Sequence, residues 1–107
     1  SSLVPADIPP LAGCVHGINI MLVKCGGLRE GMKMIHIARA CGLKIMLGCM
    51  IESSVLITAA AQMTPLVDYA DLDGNLLIKD DPYSGVKVDK AARLLLPDGG
   101  GLGLSKA

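Results

Sequence analysis

The chain has 107 residues, with ten basic and ten acidic side chains and a formal net charge of zero, enough for one small domain but not two. The balanced charge excludes the basic field that nucleic acid or an anionic membrane surface needs. The longest uncharged apolar run, Ile45 to Ile51, is far short of the ~20 residues of a membrane span. Half the residues are hydrophobic, yet only Tyr69 and Tyr83 are aromatic. The predicted core is therefore aliphatic.

In chain order, Ser1 to Leu11 is rich in Ser and Pro and reads as a loop with at most a short helical turn. Ile18 to Lys24 predicts a strand. Alternation puts Ile18, Ile20 and Leu22 on one face and Asn19, Met21 and Val23 on the other. Gly26-Gly27 breaks it. Leu28 to Ala40 has helical spacing, with Leu28, Met32, Ile35 and Ala38/Arg39 on one broad stripe and Arg29, Glu30 and Lys33 outside it. Cys41-Gly42 is the stop. Lys44 to Gly48 is a second strand. Ser53 or Ser54 caps a helix over "SSVLITAAAQM", which Pro65 ends. Asp68 to Gly74 is a third short strand. The remainder, with "DDPYSG" and "LLPDGGGLGLSKA", predicts a hairpin or irregular returns.

Strands alternating with helices of this length predict an α/β fold with a parallel sheet. Two architectures fit: an open doubly wound sheet, or an arc of a (β/α)8 barrel, whose full form takes ~250 residues. Polar groups follow every strand, at Lys24-Cys25, Cys49 to Ser54, and Asp71 to Gly74. That pattern favours the barrel, because parallel α/β folds gather function at strand carboxyl ends.

The four cysteines, Cys14, Cys25, Cys41 and Cys49, form no CxxC pair, and His16 and His36 share no ligand spacing with them. They predict buried free thiols in a reducing compartment rather than zinc ligands or disulfides. No basic region followed by an apolar block opens the sequence, so no secretory leader is expected and the predicted location is cytoplasmic. "GGGLG", Gly99 to Gly103, lacks the Lys-Ser/Thr of a phosphate loop and reads as a flexible tail. "DLDG" carries Asp71 and Asp73 two residues apart. On a strand both carboxylates share one face and need a cation between them; the alternative is a solvated Asp-Gly turn.

The segments "GINIMLVKCGGLREGMKMIHIARACGLKIMLGCMIESSVLITAAA", "YADLDG", "DDPYSG" and "LPDGGGLGL" together resemble the C-terminal part of the enolase superfamily. Within it they are most similar to the dipeptide epimerases of the muconate-lactonizing subgroup. The resemblance runs from about Pro5 to Leu104. It implies a partial (β/α)8 TIM barrel of three parallel βα units matching strands six to eight, with residues 1–107 as one C-terminal barrel segment.

The resemblance also implies a chemistry. The family moves a proton at the carbon α to a carboxylate, between two lysines, with Mg2+ stabilising the enediolate. The metal carboxylates belong to strands three to five and one base to strand two, none of which aligns with this chain. The other base belongs to strand six, where Met21 stands. Met nearly matches the length of Lys but carries no proton. Lys24 lies an odd number of residues away and does not replace it. Cys49 and Ile51 match positions lining the dipeptide site, and Asp71 and Asp73 match the pair that holds the substrate α-ammonium. Gly100 departs from the proline the family often carries there.

Three functional readings follow. The first is a segment of a Mg2+-dependent dipeptide epimerase that is inactive by itself. The second is a pseudoenzyme or partial-barrel assembly module. The third and weakest is a different small α/β enzyme using Lys24 with the Asp pair. Three parallel strands cannot close a barrel. Bare strand edges and an open face carrying Met21, Val23 and Met46 predict a homo-oligomer, or association with the missing barrel segments.

Overall fold

The computed structural model describes residues 4–107. Ser1, Ser2 and Leu3, where the predicted opening loop begins, lie outside the described residues. Two 3-10 turns, Pro5–Asp7 and Pro9–Leu11, follow. Between them Ile8 is wholly buried, which anchors the segment.

The central elements are β1 (Gly17–Ile20), α1 (Leu22–Cys25), α2 (Leu28–Ala40), β2 (Lys44–Leu47), α3 (Ser54–Ala61) and β3 (Tyr69–Ala70). The three strands form one parallel sheet in the order β1-β2-β3. The register pairs Gly17 with Lys44, Asn19 with Met46, and Met46 with Tyr69. After a 3-10 turn at Gly74–Leu77 come β4 (Tyr83–Ser84), β5 (Lys87–Val88), β6 (Leu94–Leu95) and β7 (Ser105–Lys106). These pair as two short antiparallel ladders, β4 with β7 and β5 with β6.

The parallel α/β order agrees with the pattern in the sequence, but several boundaries differ. The first strand ends at Ile20 rather than Lys24. Lys24 and Cys25 donate their backbone N–H groups to the Met21 carbonyl at 3.0 and 3.1 Å, winding one helical turn that Gly26 closes at φ 97°. Buried Leu22 and Cys25 hold that turn against the core. Lys24 and Val23 therefore leave the sheet, and Val23 is not part of its open face. The third strand is only Tyr69–Ala70; the segment from Asp71 to Asp73 runs beyond it.

The α2 boundaries match the sequence reading, but its buried face is Gly31, Met34, Ile35 and Ala38, with Leu28 exposed. Gly31 causes the rotation. A Cβ there would stand 3.0 Å from both Leu22 and Met63, so the missing side chain lets the helix approach through that point. Gly42, at φ 72°, ends α2 with the expected left-handed turn. Its N–H reaches the Arg39 carbonyl, and the N–H of Leu43 reaches that of Ala38 at 2.9 Å, a Schellman arrangement. α3 stops at Ala61, ahead of Pro65. Pro65 sits instead in a 3-10 turn, Thr64–Leu66, and the Thr64 hydroxyl donates to the Ala61 carbonyl at 2.8 Å.

One face of the sheet, Ile18, Ile20, Ile45 and Leu47, packs against Met34, Ile35 and Ala38 of α2 and Ile57, Ala60 and Ala61 of α3. The other face is open. There His16, Gly17, Asn19, Lys44, Met46 and Tyr69 border a depression of about 350 Å³. The C-terminal third does not cover it, since no residue after Tyr69 lines it. That third docks on α3 instead: the N–H of Val86 donates to the Thr58 hydroxyl oxygen at 2.9 Å. "GGGLG" is no free tail, because β7 returns to β4 just after it.

All four cysteines are free. Cys25 is buried, Cys41 and Cys49 are half-buried, and Cys14 is exposed, against the expectation of burial. Among the described residues no helix is long and apolar enough to cross a membrane.

Candidate functional site

Because β1, β2 and β3 are parallel, their carboxyl ends open on the same edge. The ladder runs one residue past β2 and β3. The Gly48 N–H bonds the Ile20 carbonyl and the Asp71 N–H bonds that of Leu47, both at 2.9 Å. Met21, the loop from Gly48 to Ser53, and the segment Asp71 to Gly74 therefore lie side by side.

Met21 continues the extended backbone of β1, at φ −125° and ψ 124°, and is half-buried. It shares strand parity with Asn19 and so belongs to the open face. Lys24, three residues on, is exposed on α1. It sits on the helical turn past the strand end and not on the strand itself.

Asp71 and Asp73 are both exposed, while Leu72 between them is buried at 4%. The alternation expected of a strand thus survives past the end of β3, and both carboxylates stay on the side opposite the core. Gly74 holds the segment in place. It is buried, and a Cβ there would collide with the Met50 carbonyl oxygen and come within 3.3 Å of the Cys49 sulfur. Only glycine lets "DLDG" lie so close to the β2 loop. The Cys49 thiol accordingly reaches Asp73 Oδ1 at 3.8 Å. Ile51 stands on the same loop and is 67% exposed.

Among the described residues neither Asp71 nor Asp73 has an ion-pair partner. Two like charges without a cation suit an ammonium group. Among the described residues no three of His, Cys, Asp and Glu are grouped to hold a metal ion.

Three residues that shape the site escape pattern reading. Glu52 is 9% exposed, and its carboxylate accepts the Met50 N–H at 3.1 Å, folding the β2 loop on itself. Asn75 donates to the Ser54 hydroxyl at 3.4 Å. Asp81 accepts the Ser54 N–H at 2.7 Å and that of Tyr83 at 3.2 Å. Hydrogen bonding from Ser54 holds the Asp81 carboxyl below its ordinary value against the opposing effect of burial. The sequence carries one signal for this, an aspartate directly before Pro82.

Residues 10–106 match the family described as Enolase C-terminal domain-like. The chain belongs to the enolase superfamily. This enolase-superfamily segment is 49% identical over 100 residues to the L-Ala-D/L-Glu epimerase of Bacteroides thetaiotaomicron, covering 94% of the chain and 26% of that protein. It is 51% identical over 79 residues to a hydrophobic dipeptide epimerase of a Flavobacteria bacterium, covering 74% of the chain and 23% of that protein. The chain thus spans about a quarter of the length of these relatives.

Solved structures agree. The dipeptide epimerase of Methylococcus capsulatus, complexed with Mg, superposes with a TM-score of 0.90 at 35% identity, over 99% of this chain and 32% of that one. The substrate-liganded L-Ala-D/L-Glu epimerase of Bacillus subtilis superposes at 0.86 with 30% identity, over 96% of this chain and 30% of that one. The three parallel strands therefore align with part of an enolase-family barrel domain. Mg is present with that Methylococcus relative; among the described residues of this chain no group of three or more possible ligands is found.

Proposed function

We propose that this chain forms the strand-six-to-eight segment of a (β/α)8 barrel of the dipeptide epimerase type. Its own part is to hold the amino-terminal end of a dipeptide, and it transfers no proton by itself. The carrying observation is that Asp71 and Asp73 flank buried Leu72 on the open edge, without an ion-pair partner among the described residues and with Asp73 joined to Cys49 of the β2 loop. An α-ammonium placed between the carboxylates would complete that arrangement, with Cys49 and Ile51 bordering it.

Met21 supports the negative half of the reading. A thioether has no titratable proton, so a base at that position is lost, and such a group typically contributes ~10²–10⁴-fold in rate. The same residue, together with the open sheet face, favours the second reading, a non-catalytic pseudoenzyme or assembly module.

Incubation with L-Ala-L-Glu in D2O, with and without Mg2+, separates the two halves by NMR. The expected result is no exchange of substrate α-protons, with amide shifts at Asp71 to Gly74 that Asp71→Asn and Asp73→Asn abolish. Exchange by the purified chain would overturn the claim of inactivity. Unmoved amides at saturating dipeptide would overturn the binding claim.

A further inference from the structure

We infer that Asp81 is a positioning residue that ties together the two walls of the candidate site, acting through Ser54 on the β2 loop and through the Ser54 hydroxyl and Asn75 on the "DLDG" segment. Its effect on dipeptide affinity rests on the proposed function; the chain of bonds does not.

Asp81 takes the Ser54 N–H on Oδ2 at 2.7 Å and the Tyr83 N–H on Oδ1 at 3.2 Å. Ser54 follows the β2 loop, starts α3 and is 6% exposed. Asn75 follows Gly74, and its Nδ2 donates to Ser54 Oγ at 3.4 Å. A Cβ on Gly74 would strike the Met50 carbonyl oxygen, so a shift of Asn75 is felt at once by the β2 loop. One carboxylate thus reaches both walls, and all of these residues lie within this chain.

The bonds run in one direction. A hydroxyl has a single proton to give, and a carboxylate only accepts. Hydrogen bonding from the Ser54 side chain is the largest influence on the Asp81 carboxyl, so the Ser54 proton goes to Asp81. The Ser54 oxygen is left to accept from Asn75. This explains how the Asn75 amide is turned. Its Oδ1 is buried without a partner among the described residues, an arrangement that costs free energy. Turning the amide over would set its oxygen against a Ser54 oxygen with no proton to offer.

The competing account makes Asp81 only the cap of α3. Ser54→Ala separates the two, because it keeps the N–H that Asp81 caps and removes the hydroxyl that leads to Asn75.

NMR of the full chain tests this. In the free protein, Ser54→Ala should shift the Asn75 side-chain amide signals and lower the backbone order parameters from Asp71 to Asn75, while those of α3 stay. Titration with L-Ala-L-Glu should show binding weakened about fivefold or more. Asn75→Ala should add little to that loss, because both changes break the same chain. Unchanged order parameters from Asp71 to Asn75 would overturn the inference. So would wild-type affinity in Ser54→Ala, or losses that add in the double variant. If the wild-type chain binds no dipeptide, the proposed function falls, and the order parameters of the free protein alone decide the positioning role. If circular dichroism shows that Ser54→Ala does not fold, Asn75→Ala takes its place, and unmoved amide signals at Ser54 and Tyr83 overturn the inference.

Discussion

Asp81 accepts the backbone N–H of Ser54 at 2.7 Å, so the first turn of α3 is capped by a residue 27 positions further along the chain. Ser53, the local N-cap, makes no side-chain capping bond. A helix start leaves unpaired N–H groups, and here a remote carboxylate satisfies one of them. Through this bond the "DDPYSG" segment fixes the end of the Cys49–Ser53 loop. Asp81→Ala should lower the thermal midpoint and speed hydrogen exchange at Ser54 and Tyr83 ahead of the rest of the molecule. Uniform exchange in the variant would show that the cap does not act locally.

Acid should destabilise the chain through three aspartates. The Ile45 N–H, helped by Arg39, lowers Asp68; hydrogen bonding from Ser54 lowers Asp81; the Arg93 N–H, with its side chain, lowers Asp89. In each case burial opposes the shift. A carboxyl with a folded-state value below its unfolded one adds stability that is full above the unfolded value of about 3.9 and is lost as pH falls through the folded one. Denaturant midpoints should therefore be flat near neutrality and fall in the acid range below about pH 4. Asp68→Asn should flatten that acid limb. A limb of unchanged steepness would remove Asp68 from the account.

Thr58 is wholly buried, and its hydroxyl oxygen accepts the Val86 N–H at 2.9 Å. Thr58→Val keeps the shape and leaves that N–H unpaired, a cost of about 1–3 kcal/mol. Gly85→Ala should be at least as damaging, because its Cβ would meet the Thr58 hydroxyl and come within 2.7 Å of Leu104. Chemical denaturation measures both. If Thr58→Val is neutral, the C-terminal third is held by its other contacts.

The role assigned to Met21 is tested in a chimera in which this chain replaces the matching third of the Methylococcus capsulatus dipeptide epimerase. With Met21 in place the chimera should be slower than its Met21→Lys counterpart by at least ~10²-fold in dipeptide epimerisation. Lys24→Ala in the Met21→Lys background should change little, because Lys24 is exposed on α1. Loss of activity on Lys24→Ala equal to that of restoring Met21 would identify Lys24 as the base instead.

The sequence by itself determined the parallel α/β order, α2 at its full length, and the stop at Gly42. These rest on local periodicity and on backbone conformations that one residue type tolerates best. It also determined, through motif order, membership in the enolase superfamily, and through period-two alternation, that Asp71 and Asp73 share a side. Tertiary structure decided the rest. The turn of α1 that removes Lys24 from the strand depends on buried Leu22 and Cys25. The rotation of α2 depends on Leu22 and Met63 meeting Gly31, and the cap of α3 on Asp81. The closeness of Cys49 to Asp73 depends on Gly74 fitting under Met50. Each is a contact between segments distant in the chain, and local pattern carries no record of which distant side chain will arrive.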